Sequence, residues 1–252
     1  MIVTNQSELF QHGLRLRSLD QVQGELVYEA PASMSFAFEG KNEIGAFTYQ
    51  GGGGRIRNTR IGRYCSIAPL LTIGDFQHPT EWATQHPFAY SGTGHFSFFE
   101  PYQELAAPNR WRSPEYHEIS VEIGNDVWIG RNVDITRSLS VGNGAVISLR
   151  SLVTRSVASY DIVGGTPAKS ISSRFKTLDP TRRAEVIAGL NASEWWTLQP
   201  RLLRDAPLTD PEAFLAWIET QKNEAPFQPK KYRIWRQQGE VHIEPVEGSQ
   251  DP

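Results

Sequence analysis

Four of the six histidines, His78, His86, His95 and His117, crowd into the stretch between Asp75 and Ser120. Imidazole has an unperturbed pKa of about 6.5, so a neutral ring is available near pH 7 to take a proton from a hydroxyl as its oxygen attacks. The same ring also binds metals. His78 and His86 are eight apart, His95 follows nine further on, and no two histidines of the chain are five apart. The lone cysteine, Cys65, excludes an internal disulfide and suits a reducing compartment. The glycine run 51–54 has no Lys-Ser/Thr after it and reads as a turn, not a phosphate-cradling loop.

The elements that must hold such a loop show in a stride of six. Stepping by six from position 123 meets Ile123, Ile129, Ile135, Val141, Ile147 and Val153, all β-branched aliphatics. Four places further on stand Val127, Val133, Leu139, Ala145, Ser151 and Val157, mostly apolar or small. Ile61, Ile67 and Ile73 keep the same stride, and Ile44-Gly45 opens an earlier turn. Neither the period of a strand nor that of a helix explains a six-residue repeat. Short strands joined by tight turns do, each strand facing one wall of a triangular prism. The expectation is an all-β solenoid, a parallel β-helix.

Ile73 and Ile123 are fifty residues apart, which is not a multiple of six. A long excursion from a compact solenoid is usually functional, and this one carries the histidines. After Lys169, Asp179-Pro180 and Asp210-Pro211 predict helix starts, and KKYRIWRQQGEVHIEP predicts a hairpin around Gln-Gly. The expected organisation is N-terminal strands or a cap over 1–43 and the β-helix over 44–171. A loop over 75–120 is inserted in it, with helices over 172–225 and a hairpin tail over 226–252. With 25 basic and 28 acidic residues, a charge of −3 and a pI near 6.1, nucleic-acid binding is disfavoured. No apolar run reaches the roughly 20 residues of a membrane span, and the start has no basic or apolar leader region. A soluble cytoplasmic protein is expected.

The segments IGNDVWIGRNVDI, VGNGAVI and IVGGTPAKSI resemble the left-handed β-helix, hexapeptide-repeat acyltransferases. The loop GDFQHPTEWATQHPF, the TPAK…RF exit and the following WW narrow the resemblance to the xenobiotic branch. That branch includes the type B chloramphenicol and streptogramin acetyltransferases. The resemblance runs from about Ile44 to Trp196. It implies a left-handed β-helix with a projecting loop that builds the active site. It also implies acetyl-CoA as co-substrate, no metal, and a homotrimer with each site between two prisms. The acceptor would be a small-molecule hydroxyl: a sugar, a polysaccharide precursor or an antibiotic-like alcohol.

His78, with Pro87-Phe88 after it and Thr84 near the family's serine, matches the general base, and His86 is the second candidate. The resemblance places Tyr49, Trp82 and His86 at the acceptor. It places Ser148, Leu149, Thr166, Lys169 and Arg174 at the cofactor. There Lys169 and Arg174 would meet phosphates, and an N–H near Ser148 would face the thioester oxygen. Trp128 and Trp195-Trp196 read as packing residues. The chain departs from the family in reading ISLRSLVT where a pattern like IGAGSVVT is usual, and Thr166 where Asn is commoner. Leu149 and Arg150 leave open a non-catalytic β-helix with a degenerate donor groove. The γ-class carbonic anhydrases share this fold, but their histidine pair five apart is missing here.

Overall fold

The computed structural model describes residues 1–75, 78–86, 89, 98 and 119–246. They belong to two compact units, Met1–Gly74 with Ile119–Pro252, and Asp75–Glu118. His95, His117 and Pro87-Phe88 lie outside the described residues.

In the larger unit the six-residue stride is the step from wall to wall of a parallel β-helix of about seven turns. Wall one stacks Leu14–Leu16, Ala32–Met34, Tyr49–Gln50, Ser66–Ile67, Trp128–Ile129, Val146–Ile147 and Asp161–Gly165. Wall two stacks Ala37–Glu39, Gly54–Arg57, Leu71–Ile73, Asp134–Ile135 and Leu152–Val153. Wall three stacks Glu25–Glu29, Lys41–Ile44, Thr59–Ile61, Val121–Ile123 and Leu139–Val141.

Parallel pairing aligns the stride residues in buried columns. Ile67, Ile129, Ile147 and Val163 line wall one, Ile56, Ile73, Ile135 and Val153 wall two, and Ile44, Ile61, Ile123 and Val141 wall three. Cys65, Val127, Val133 and Ala145, the companion positions, are fully buried between them. The fifty-residue gap is one six-residue step plus the 44 residues of the smaller unit, so the stride resumes in phase.

Turning a corner every six residues requires left-handed backbone there. Leu70, Asn132 and Arg150 take it on leaving wall one, and Phe47, Tyr64, Asp126 and Tyr160 on entering it, all with φ between 55° and 67°. Gly54, at φ 113°, is a glycine by necessity, since a Cβ would stand 2.2 Å from the Leu71 carbonyl oxygen.

The coils begin N-terminal to Ile44. Leu14–Leu16 runs parallel to Ala32–Met34, and Glu25–Glu29 to Lys41–Ile44. The stride is hidden there because Tyr28, Met34, Phe36 and Phe38 fill the interior in place of Ile and Val. The strands Lys231–Gln237 and Glu240–Pro245 turn through Gln238 and Gly239, both at positive φ as a tight hairpin demands. This hairpin lies antiparallel on Glu25–Glu29, with Ile2–Val3 outside it, and covers that sheet edge.

Helices α1 (Gln6–Gln11), α2 (Pro180–Ser193) and α3 (Pro211–Glu219) flank the prism coils in sequence. Asp179 accepts from the N–H groups of Thr181 and Arg182, and Asp210 from those of Glu212 and Ala213, so each caps the helix behind its Pro. Val186, Leu190, Phe214 and Ile218 pack with Tyr160 into a second core. Trp196 is buried, and Trp195 packs on Tyr64 with ring centroids 5.3 Å apart, as the packing reading of this pair expects.

Candidate active site

In the smaller unit, His78 is exposed and its Nδ1 lies 2.7 Å from the Gln85 carbonyl oxygen. A carbonyl only accepts, so in the neutral ring the proton sits on Nδ1 and the lone pair on Nε2. The backbone N–H of Trp82 donates to the Pro79 carbonyl at 3.2 Å, closing a turn that leaves the indole 38% exposed. His86 donates its backbone N–H to Thr84 Oγ1 at 3.2 Å. Thr84 therefore shapes the loop around the second histidine.

On wall one of the larger unit, the outward places in register run Arg15, Ser33, Tyr49, Ser66, Trp128, Val146 and Ile162. Tyr49 is 53% exposed and Trp128 57%. The exposure of Trp128 corrects its reading as a packing residue. The signal was in the sequence: Val127 and Ile129 both point inward, so the residue between them must point out.

Ser148, Leu149, Thr166 and Lys169 gather at the corner where the last coils leave wall one. The Ser148 N–H donates to the Val163 carbonyl at 2.9 Å, so it is engaged in the ladder. The next N–H along, that of Leu149, has no acceptor among the described residues, and the Leu149 side chain is exposed. Thr166 Oγ1 lies 3.5 Å from the Arg150 carbonyl oxygen, and Lys169 is exposed opposite Gly164 in the final antiparallel pair.

Arg174, expected at the phosphates, is half-buried. It donates to Asp126 Oδ2 at 2.8 Å and to the Gly144 carbonyl at 3.2 Å, and lies over the rings of Tyr160 and Phe175 at 5.1 and 5.2 Å. Burial pushes the Tyr160 phenol up to about 12, so this ring stays neutral beside the ion pair. The Arg174 guanidinium thus bridges the corner column of the coils, between Asp126 and Tyr160. Among the described residues, no three His, Cys, Asp or Glu side chains form a group able to hold a metal ion. No helix among them is long and apolar enough to cross a membrane.

No family model matches the chain. It is 38% identical over 139 residues to a chloramphenicol acetyltransferase of Morganella morganii, covering 54% of this chain and 58% of that one. It is 35% identical over 138 residues to a "Probable macrolide acetyltransferase" of Lysinibacillus sphaericus, covering 54% of this chain and 67% of that one. A solved hexapeptide-repeat-containing acetyltransferase of Vibrio cholerae aligns with 68% of this chain and 82% of its own, at 18% identity and a TM-score of 0.37. The chain spans 58% of the length of the chloramphenicol acetyltransferases it matches first. With that sequence likeness carried on coils of six-residue steps, the chain belongs to the left-handed β-helix, hexapeptide-repeat acyltransferases, in their xenobiotic branch.

Proposed function

We propose that this protein is an acetyl-CoA-dependent O-acetyltransferase that transfers directly to a hydroxyl, with His78 as general base. The observation that carries the reading is the His78–Gln85 contact, which sets the tautomer a base requires. When bound, acetyl-CoA supplies the acyl thioester. Nε2 of His78 accepts the hydroxyl proton as the C–O bond forms and the C–S bond breaks, and returns it to the departing sulfur. No acyl-enzyme is needed, because holding both reactants in one complex supplies much of the rate. The Leu149 N–H is the donor that best suits the thioester oxygen; such donors contribute roughly 3 kcal/mol in well-studied enzymes.

The acceptor is a sugar, a polysaccharide precursor or an antibiotic-like alcohol, with Tyr49, Trp82 and His86 against it. Ser148, Leu149, Thr166 and Lys169 meet the donor. The protein works in the cytoplasm as a homotrimer. Its walls support that assembly. Wall three presents an ion ladder, Glu43–Arg60–Glu122, suited to water, whereas wall one presents Tyr49, Trp128, Val146 and Ile162. Calorimetric titration with acetyl-CoA tests the reading without a guess at the acceptor: saturable micromolar binding, competed by CoA, is expected. No binding at millimolar acetyl-CoA overturns it in favour of a non-catalytic β-helix.

A further inference from the structure

We propose that Phe10, Arg15 and Ser33 extend the acceptor site beyond Tyr49 and select an anionic acceptor, a sugar bearing a carboxylate or a phosphate. The inference rests on the O-acetyltransferase reading above, with Tyr49 against the acceptor, and names the acceptor's class. A cavity of about 350 Å³ opens on wall one, its sides including Phe10, Arg15, Pro31, Ser33, Phe47 and Tyr49. That size suits a sugar with a small ring attached. Phe10, Arg15, Pro31 and Ser33 precede Ile44, where the resemblance to the family starts. Helix α1 and the first coils therefore add this pocket to the coils the family shares.

Parallel pairing sets Arg15 beside Ser33 and Ser33 beside Tyr49, so the three stand in one outward column with steps of roughly 4.8 Å. None of their side chains makes a hydrogen bond or ion pair among the described residues. A guanidinium, a hydroxyl and a phenol thus line the cavity with their hydrogen-bonding capacity unused. The apolar side is held from behind. Phe47 stacks on Tyr64 with ring centroids 4.9 Å apart. Leu9 is fully buried and anchors α1, which leaves Phe10 beside it 67% exposed at the cavity. Among the described residues lining the cavity, Arg15 is the one charged group. The acids near it in sequence are engaged elsewhere, Glu8 with Thr4 and Asn5, and Glu29 with Arg63 and Lys231. An aromatic wall takes the apolar face of a ring, and a guanidinium takes a carboxylate or phosphate through two parallel N–H donors. A neutral alcohol offers that guanidinium no counter-charge, so the pocket favours the anion.

The test is an NMR titration of three matched probes: para-nitrophenyl β-glucoside, the corresponding glucuronide, and the glucoside phosphorylated on its primary hydroxyl. Wild-type protein is expected to bind at least one anionic probe about tenfold more tightly than the neutral one, and the tighter of the two tells carboxylate from phosphate. Arg15→Gln should bring the anionic probes down to the neutral level, Arg15→Lys should recover part of the preference, and Phe10→Ala should weaken all three. Both side chains are exposed, so these variants should fold. Equal binding of the three probes by wild type, binding of none, or a preference that survives Arg15→Gln refutes the pocket. Acetyl-CoA is titrated alongside. Its binding leaves the acetyltransferase reading standing when the pocket fails, and its failure to bind refutes both.

Discussion

His78 and Cys65 are opposite uses of a reactive side chain. His78 is exposed, with its Nδ1 on the Gln85 carbonyl, so replacing it removes chemistry and little packing. His78→Ala is expected to lower kcat by about 10²–10⁴-fold with an unchanged melting temperature, whereas His86→Ala should cost only a few-fold. Wild-type turnover in His78→Ala would eliminate it as base. Cys65 is fully buried, its Sγ 3.1 Å from the Gly124 carbonyl oxygen, and burial pushes its thiol up to about 12. Thiol reagents should leave it unmodified in native protein and label it at the rate of unfolding. Rapid labelling of folded protein would show that the coil interior opens.

Among the elements, each coil depends on an inward column and on its corners. Ile129 is fully buried, with Ile67 and Ile147 in register on either side, so Ile129→Ala leaves a cavity that two neighbouring coils must share. The expected cost is about 2–5 kcal/mol by denaturant titration, with the slope unchanged. At the corners, Arg174 ties Asp126 and Gly144 to the last coil. About a third of each side chain of the ion pair is exposed, so solvent screens it. Arg174→Gln should therefore lower stability by only about 1–2 kcal/mol and leave acetyl-CoA affinity as it was. A selective loss of affinity would return Arg174 to the donor site.

For the molecule as a whole, Glu29 fastens the C-terminal hairpin to the coils. It accepts from Arg63 at 2.6 and 3.0 Å and from the Ala46 N–H at 3.2 Å, and pairs with Lys231 at 3.2 Å. Burial by itself would raise its carboxyl, but the Arg63 hydrogen bond and charge, with Ala46 and Lys231, outweigh it and hold it below the usual carboxylate range. A carboxyl lower in the native state than unfolded contributes stability in full above about pH 4.3, and loses it as pH falls through the native value. Urea midpoints should thus drop on acidification below about pH 4.3, and drop less in Glu29→Gln; equal slopes for both proteins would remove Glu29 from the account. Sedimentation should find a trimer, and a monomer alone would overturn that assembly. The six-residue period was legible in the sequence because every coil repeats one local demand, a branched aliphatic facing inward on each wall. The helix caps were legible because an Asp-Pro pair acts within three residues. In the first coils the period was hidden, since Tyr28 and Phe38 fill the same space with other shapes. Only the tertiary structure decided that Arg174 faces Asp126, 48 residues away, and that Glu29 faces Arg63, 34 away. A charge takes its role from what lies across from it in space, and sequence separation does not encode that distance.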